Sequence, residues 1–287
     1  MINFRYHIVS IVAVFLALGL GMLIGAGVLD RVTVARLESS VSGLRRDLSS
    51  DREQISTLRT QKGQVNALLK NLVPRITRNT LLGRQVLLVR AGGGQSWQGP
   101  VGDALKLAGA SDGGNIVFTD RWSLADPKDA ARLATALQTT LDPNDPAGSA
   151  ARYLGSNLSA NNGPALVSAL QNAGFVNGSA PSSGTFPAPG SDVVVYAAGP
   201  NAPWLTAFVQ GVDTHESTLV VAPSLDSLGT VDAVRHLPNP PKTLSTFDSA
   251  ATDPSGVGCV FALRAAIDEQ GANFGTADGL NYTPPAS

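Results

Sequence analysis

Val86-Leu87-Leu88-Val89 is a short apolar run with Gly83 just before it and Ala91-Gly92-Gly93-Gly94 just after it. Consecutive aliphatic residues without polar alternation fit a strand covered on both faces, and the glycines mark its ends. The pattern recurs at Ile116-Val117-Phe118, Val193-Val194-Val195-Tyr196 and Leu219-Val220-Val221. Between these runs the composition turns helical, from Val101 to Ala108, from Asp126 to Leu141 with a start at Ser123 or Asp126, from Trp204 to Gln210 and from Gly256 to Glu269. Buried strands alternating with helices predict an α/β fold with a mostly parallel, Rossmann-like sheet over residues 83–275. A membrane barrel is disfavoured, because its strands run roughly ten residues and alternate lipid-facing with lumen-facing side chains. Gly178 to Ser191 reads as a flexible surface connection, His236 to Pro241 as a stiff turn, and 276–287 as a disordered tail.

Upstream of this domain the apolar period changes. Leu37, Leu44, Asp51, Leu58, Val65 and Leu72 form one column, and Val41, Leu48, Ile55, Lys62 and Leu69 form a second. Nine of these eleven positions are apolar, and their 3.5-residue period is that of a coiled-coil seam. Arg45, Arg46, Asp47, Arg52, Glu53 and Arg59 fall off the seam, where solvated charge belongs. Gly43 and Gly63 each weaken the helix by about 1 kcal/mol against Ala, and Asp51 and Lys62 interrupt the seam. A stalk over residues 30–73 would be about 66 Å long at the α-helical rise and would hold the domain off the bilayer. Pro74 is expected to close it. The alternative, a stripe packed on the chain's own domain, is disfavoured because packed helices seldom run beyond roughly 25 residues uncapped.

After a short tail over 1–7, Ile8 to Leu29 runs 22 residues without a charge, enough to cross a hydrocarbon core of roughly 30 Å as a helix. A cleaved signal peptide is the rival, with Gly25-Ala26-Gly27 as cleavage-type residues, but signal cores run about 7–15 residues. An uncleaved single-pass anchor is therefore expected. An apolar helix suits a conventional inner bilayer better than an outer membrane of barrels. Basic residues alone, Arg5 before the span against Arg31, Arg36, Arg45 and Arg46 after it, would place the bulk of the chain inside the cell. Within the span Ala17, Gly21 and Gly25 recur every fourth residue, a small-residue face on which two membrane helices can approach closely; glycine is also simply common in such helices.

Chemistry is sparse. With 21 basic and 22 acidic side chains, no field favours nucleic acid. Gly92 and Gly94 match the start of a dinucleotide-binding loop, but Trp97 stands where the third glycine would allow close helix-to-strand packing. There is no GxSxG, HExxH or CxxC pattern. His7 flanks the span, His215-Glu216 reads as a turn at a strand entrance, and His236 has no evident partner. Cys259, the sole cysteine, sits in an apolar run and reads as a small buried hydrophobe. The expectation is no catalytic residue, no resident metal, no cofactor and no enzyme.

The opening Phe4–Leu29, FRYHIVSIVAVFLALGLGMLIGAGVL, the heptads, TFDSA at Thr246–Ala250 and CVFALRAAIDEQGANFGTADG at Cys259–Gly279 together resemble the mycobacterial copper transport protein B (MctB) family. The likeness in layout spans nearly the whole chain, and the residue-level match is best at the two ends. It implies an actinobacterial cell-envelope location, a globular domain outside the cytoplasmic membrane, and a part in copper transport, efflux and homeostasis. The corynebacterial SteB-like members imply a different role, control of cell-wall hydrolases and cell separation through a coiled coil and a membrane partner. The resemblance carries no catalytic or metal-binding residues onto positions here. Cu(I) wants thiolate, thioether or imidazole, and one Cys, two Met and three His scattered along the chain disfavour direct copper binding. Two roles remain open: a component of copper transport, or a scaffold whose coiled coil pairs with itself as a homodimer or docks a protein partner.

Overall fold

The computed structural model describes residues 4–92, 95–181, 186–187, 190–197, 202–212, 216–224, 229–253 and 255–275. The chain divides into two units, Met1–Val65 and Asn66–Ser287. The predicted tail over 276–287 lies outside the described residues.

The first unit is helical throughout its described length. It consists of the greater part of one helix, α1 (Phe4–Ile76), which runs 73 residues across the boundary between the units and carries the apolar span and every predicted seam position. Within it Tyr6–Gly25 has a mean hydropathy of 2.6, making it long and apolar enough to cross a membrane. Pro74 does not close the helix, which continues to Ile76. A proline removes one i→i−4 hydrogen bond but leaves the residues after it free to adopt helical dihedrals.

The second unit opens at Asn66, inside α1, whose last residues to Ile76 belong to it. The chain turns through Asn79, whose φ is +66°, and inserts Leu81 into the core while its amide donates to the Ala108 carbonyl at 2.9 Å. The elements that follow are β1 (Gln85–Ala91), α2 (Gln98–Leu107), β2 (Ser111–Phe118), a 3-10 turn (Asp120–Ser123), α3 (Asp129–Leu137), α4 (Pro146–Asn157), α5 (Gly163–Asn172) and β3 (Val176–Ser179). Then come β4 (Asp192–Tyr196), α6 (Pro203–Val212), β5 (Thr218–Val221), α7 (Gly229–Arg235), β6 (Leu244–Phe247), α8 (Val257–Ile267) and β7 (Asn273–Phe274). The seven strands form one sheet in the order β3-β2-β1-β4-β5-β6-β7. All neighbours are parallel except the antiparallel edge pair β2–β3.

Strand pleating divides the core into two layers. Leu87, Val89, Val193, Val195 and Val220 pack with Leu133 and Leu137 of α3, Leu154 of α4, Leu170 of α5 and Phe208 of α6. Val86, Val194, Leu219, Val221 and Phe247 face the other way, onto Val101 and Leu105 of α2 and Cys259, Val260 and Leu263 of α8. Helices on both faces of a mostly parallel sheet make the doubly wound architecture that the uninterrupted apolar strands predicted.

Three details differ from the sequence reading. The helix expected over 126–141 is shorter, because Asp126 instead caps a turn, accepting from the Lys128 amide at 2.9 Å, and Gln138 ends α3 in a left-handed conformation with φ +50°. Helices α4, α5 and α7 and strands β3, β6 and β7 were not anticipated. The connection expected to be loose from Gly178 onward starts inside β3, which bonds the β2 edge; its 182–185 and 188–189 lie outside the described residues.

Candidate functional site: an exposed seam and a quiet sheet

Val41, Leu44, Leu48, Ile55, Leu58, Val65 and Leu72 are exposed, Leu44 at 62% and Leu58 at 63%, and Asp51 between them is exposed too; the side chains of Leu37 and Leu69 lie outside the described residues. A fully buried aliphatic side chain contributes about 1.5–3 kcal/mol relative to an exposed one, so a column of this length is unfavourable in water without a covering surface. Ala17, Gly21 and Gly25 are exposed as well, and a methyl group added at Gly21 or Gly25 would meet nothing within 4 Å.

Charge beside the seam constrains what could cover it. In a parallel pair of helices the position just before one core residue meets the partner position five residues further on. By that rule Asp47 of one helix faces Arg52 of the other, Gln54 faces Arg59 and Ser40 faces Arg45. The set contains one attractive pair, repeated by symmetry, and no like-charge pair. On the seam itself Asp51 and Lys62 would each face its own copy, which weakens such a pair and fixes its register.

The sheet offers little reactive chemistry. Gly92, at φ +77°, turns the chain after β1; Gly93 and Gly94 lie outside the described residues. Trp97 is buried at the start of α2, with its ring edge-on to Tyr196 at 5.3 Å. The indole therefore fills the space where a dinucleotide loop needs its third glycine, and helix and strand are held apart by an aromatic pair. Burial and then the nearby Asp253 push the Cys259 thiol well up from its ordinary range, which disfavours the thiolate that a nucleophile or soft-metal ligand requires. His236 is exposed and faces Asp232 one helical turn back at 3.4 Å; His215 lies outside the described residues. Among the described residues no three His, Cys, Asp or Glu side chains cluster as a metal site would require.

The TFDSA segment, quoted above only for its resemblance, has a structural task that sequence reasoning missed. Asp248 is fully buried and binds Arg235, itself 6% exposed, at 3.0 Å. Arg235 also donates to Thr246 Oγ1 at 2.8 Å and to the Phe274 carbonyl at 2.9 Å, while Ser249 donates to Asp248 Oδ1 at 2.7 Å. Gly275, with φ +122°, passes so close to the Asp248 carboxylate that no side chain fits there. One buried ion pair thus ties α7, β6 and β7 together. The segment TFDSA carries one carboxylate, and the sequence alone did not reveal its partner Arg235 on another element.

One long helix bearing a membrane-length apolar span, followed by a doubly wound α/β unit, defines the class of protein. The chain belongs to the MctB family, described as copper transport outer membrane protein, whose family model matches residues 1–285. The comparison with curated proteins finds no match.

Proposed function

We propose that this protein is a single-pass, uncleaved membrane-anchored scaffold of the copper-transport family, which assembles through the seam of α1 into a parallel homodimer and serves copper export as an assembly component. The observation that carries this reading is the column of exposed aliphatic residues from Val41 to Leu72 on one helix. Two copies anchored by the same end in the same bilayer run parallel, and the Asp47–Arg52 pairing favours that orientation. The family membership supports the copper connection; the envelope location with an extracytoplasmic α/β domain is part of the same proposal. Copper is cargo for the assembly. Among the described residues the buried Cys259 and the exposed His236 do not cluster with other soft ligands, which supports reading the chain as an assembly component.

The test is complementation of a deletion strain. Wild-type protein should restore normal intracellular copper, and Leu44→Pro, which breaks the seam helix by about 3 kcal/mol or more, should not, although it is equally abundant in the membrane. Full restoration by Leu44→Pro would remove the seam from the function. A deletion strain with normal copper but defective cell separation would instead favour the cell-wall role implied by the SteB-like relatives.

A further inference from the structure

A cleft of about 260 Å³ opens between α2 and the sheet, beside the carboxyl ends of β1 and β4. This is the point where the strand order reverses, the usual place for ligands in open α/β sheets. Two side chains of its wall, Arg90 on β1 and Asn115 on β2, each carry a buried atom without a hydrogen-bond partner, Nε and Oδ1 respectively, while Arg90 Nη1 donates to Gln98 Oε1 at 3.5 Å. Leu88 pairs with Asn115, and Arg90 lies two residues further along the same strand face, so the two groups stand within the span of one small molecule. Their polarities are opposite: the guanidinium offers an N–H, and the amide oxygen requires a donor. A buried polar atom left unsatisfied is unfavourable, so a ligand that rearranges these two side chains to satisfy both atoms would be favoured in the cleft. Lys106 adds a second positive charge against the single carboxylate of Asp103. On α2 the cleft is bordered by Gly99 and Gly102, where an added methyl group would meet nothing within 4 Å, so neither glycine is demanded by packing and both leave the entrance open.

We infer that this cleft binds a small hydroxycarboxylate, its carboxylate on Arg90 and Lys106 and its hydroxyl donating to Asn115 Oδ1. The site lies wholly in the α/β unit and is independent of the seam.

Calorimetric titration of the full-length protein in detergent micelles tests it with three probes, malate, succinate and inorganic phosphate. Malate should bind saturably, and succinate, which lacks only the hydroxyl, at least tenfold more weakly. Arg90→Gln should abolish malate binding, and Asn115→Val should erase the difference between malate and succinate. Gly102→Leu, a substitution that a helix accepts and that fills the cleft, should block binding with the thermal transition retained. Absence of saturable malate binding would mean that the cleft holds water only and would overturn the inference. Phosphate binding more tightly than malate, or malate and succinate binding equally, would overturn the hydroxycarboxylate assignment.

Discussion

Asp248 and Arg235 show how much of this molecule's stability rests on single side chains. Removing the carboxylate with Asp248→Ala would leave a guanidinium that is 6% exposed without its counter-charge, a change that typically costs about 3–5 kcal/mol. Urea unfolding of the full chain, followed through Trp97, Trp122 and Trp204 of the α/β unit, should show a correspondingly lower midpoint; an unchanged midpoint would mean that the pair is dispensable. Cys259 makes a second prediction at this scale. Its thiol pKa is raised in the folded state by burial, whereas in the unfolded chain it ionises at about 8.5. Above that pH the unfolded state binds fewer protons than the folded one, so stability falls as pH rises. Below it both states carry the proton and no dependence arises from this group. Cys259→Ala should flatten the alkaline decline of the urea midpoint, and an identical decline in both proteins would assign it elsewhere.

Elements differ in how plainly their residues announce them. Strands β1, β4 and β5 were legible because Val86–Val89, Val193–Tyr196 and Leu219–Val221 are uninterrupted apolar runs, and α8 because its apolar stretch is long. Helix α4 was not legible, since its buried face consists of Gly148, Ala150, Ala151, Leu154 and Gly155, small residues that leave little hydrophobic period to detect. Those residues serve contact instead: a methyl group at Gly155 would strike the Phe208 carbonyl of α6 at 2.5 Å. Gly155→Leu should therefore destabilise the α/β unit by more than the usual 1–3 kcal/mol of core overpacking, again read from the urea midpoint. Strand β6 was hidden by Ser245 and Thr246, polar residues that are buried because Arg235 and Asn273 satisfy Thr246. The helical character of α1 was legible in the sequence, whereas its reach past Pro74 was not, because a residue's propensity does not reveal how the following turn is held. If the seam of α1 pairs with its own copy, Asp51→Leu should strengthen association by removing a like charge from its core, measurable as a higher dimer fraction in micelles; a lower fraction would contradict self-pairing.

At the scale of the whole molecule, the anchor, the seam and the α/β unit make different demands on their surroundings. The apolar span suits a bilayer, the exposed aliphatic column would be covered by a second helix under the proposed pairing, and the α/β unit builds its own core in two layers. The cleft residues Arg90 and Asn115 were invisible in the sequence, because neither is unusual until the register of β1 against β2 places both on one face. Sidedness can be read directly: Lys128→Cys, on the exposed surface of the α/β unit, should react with a membrane-impermeant maleimide in intact cells if that unit is extracytoplasmic, while buried Cys259 stays unlabelled. Protection until the cells are lysed would place the unit inside. The central proposal, pairing along α1, is tested most directly by oxidative crosslinking in native membranes of Leu58→Cys against Thr60→Cys, which lies off the seam. Parallel self-pairing predicts a disulfide-linked species of twice the chain mass for Leu58→Cys and little for Thr60→Cys, whereas monomer alone in both, or equal crosslinking of the two, would contradict it.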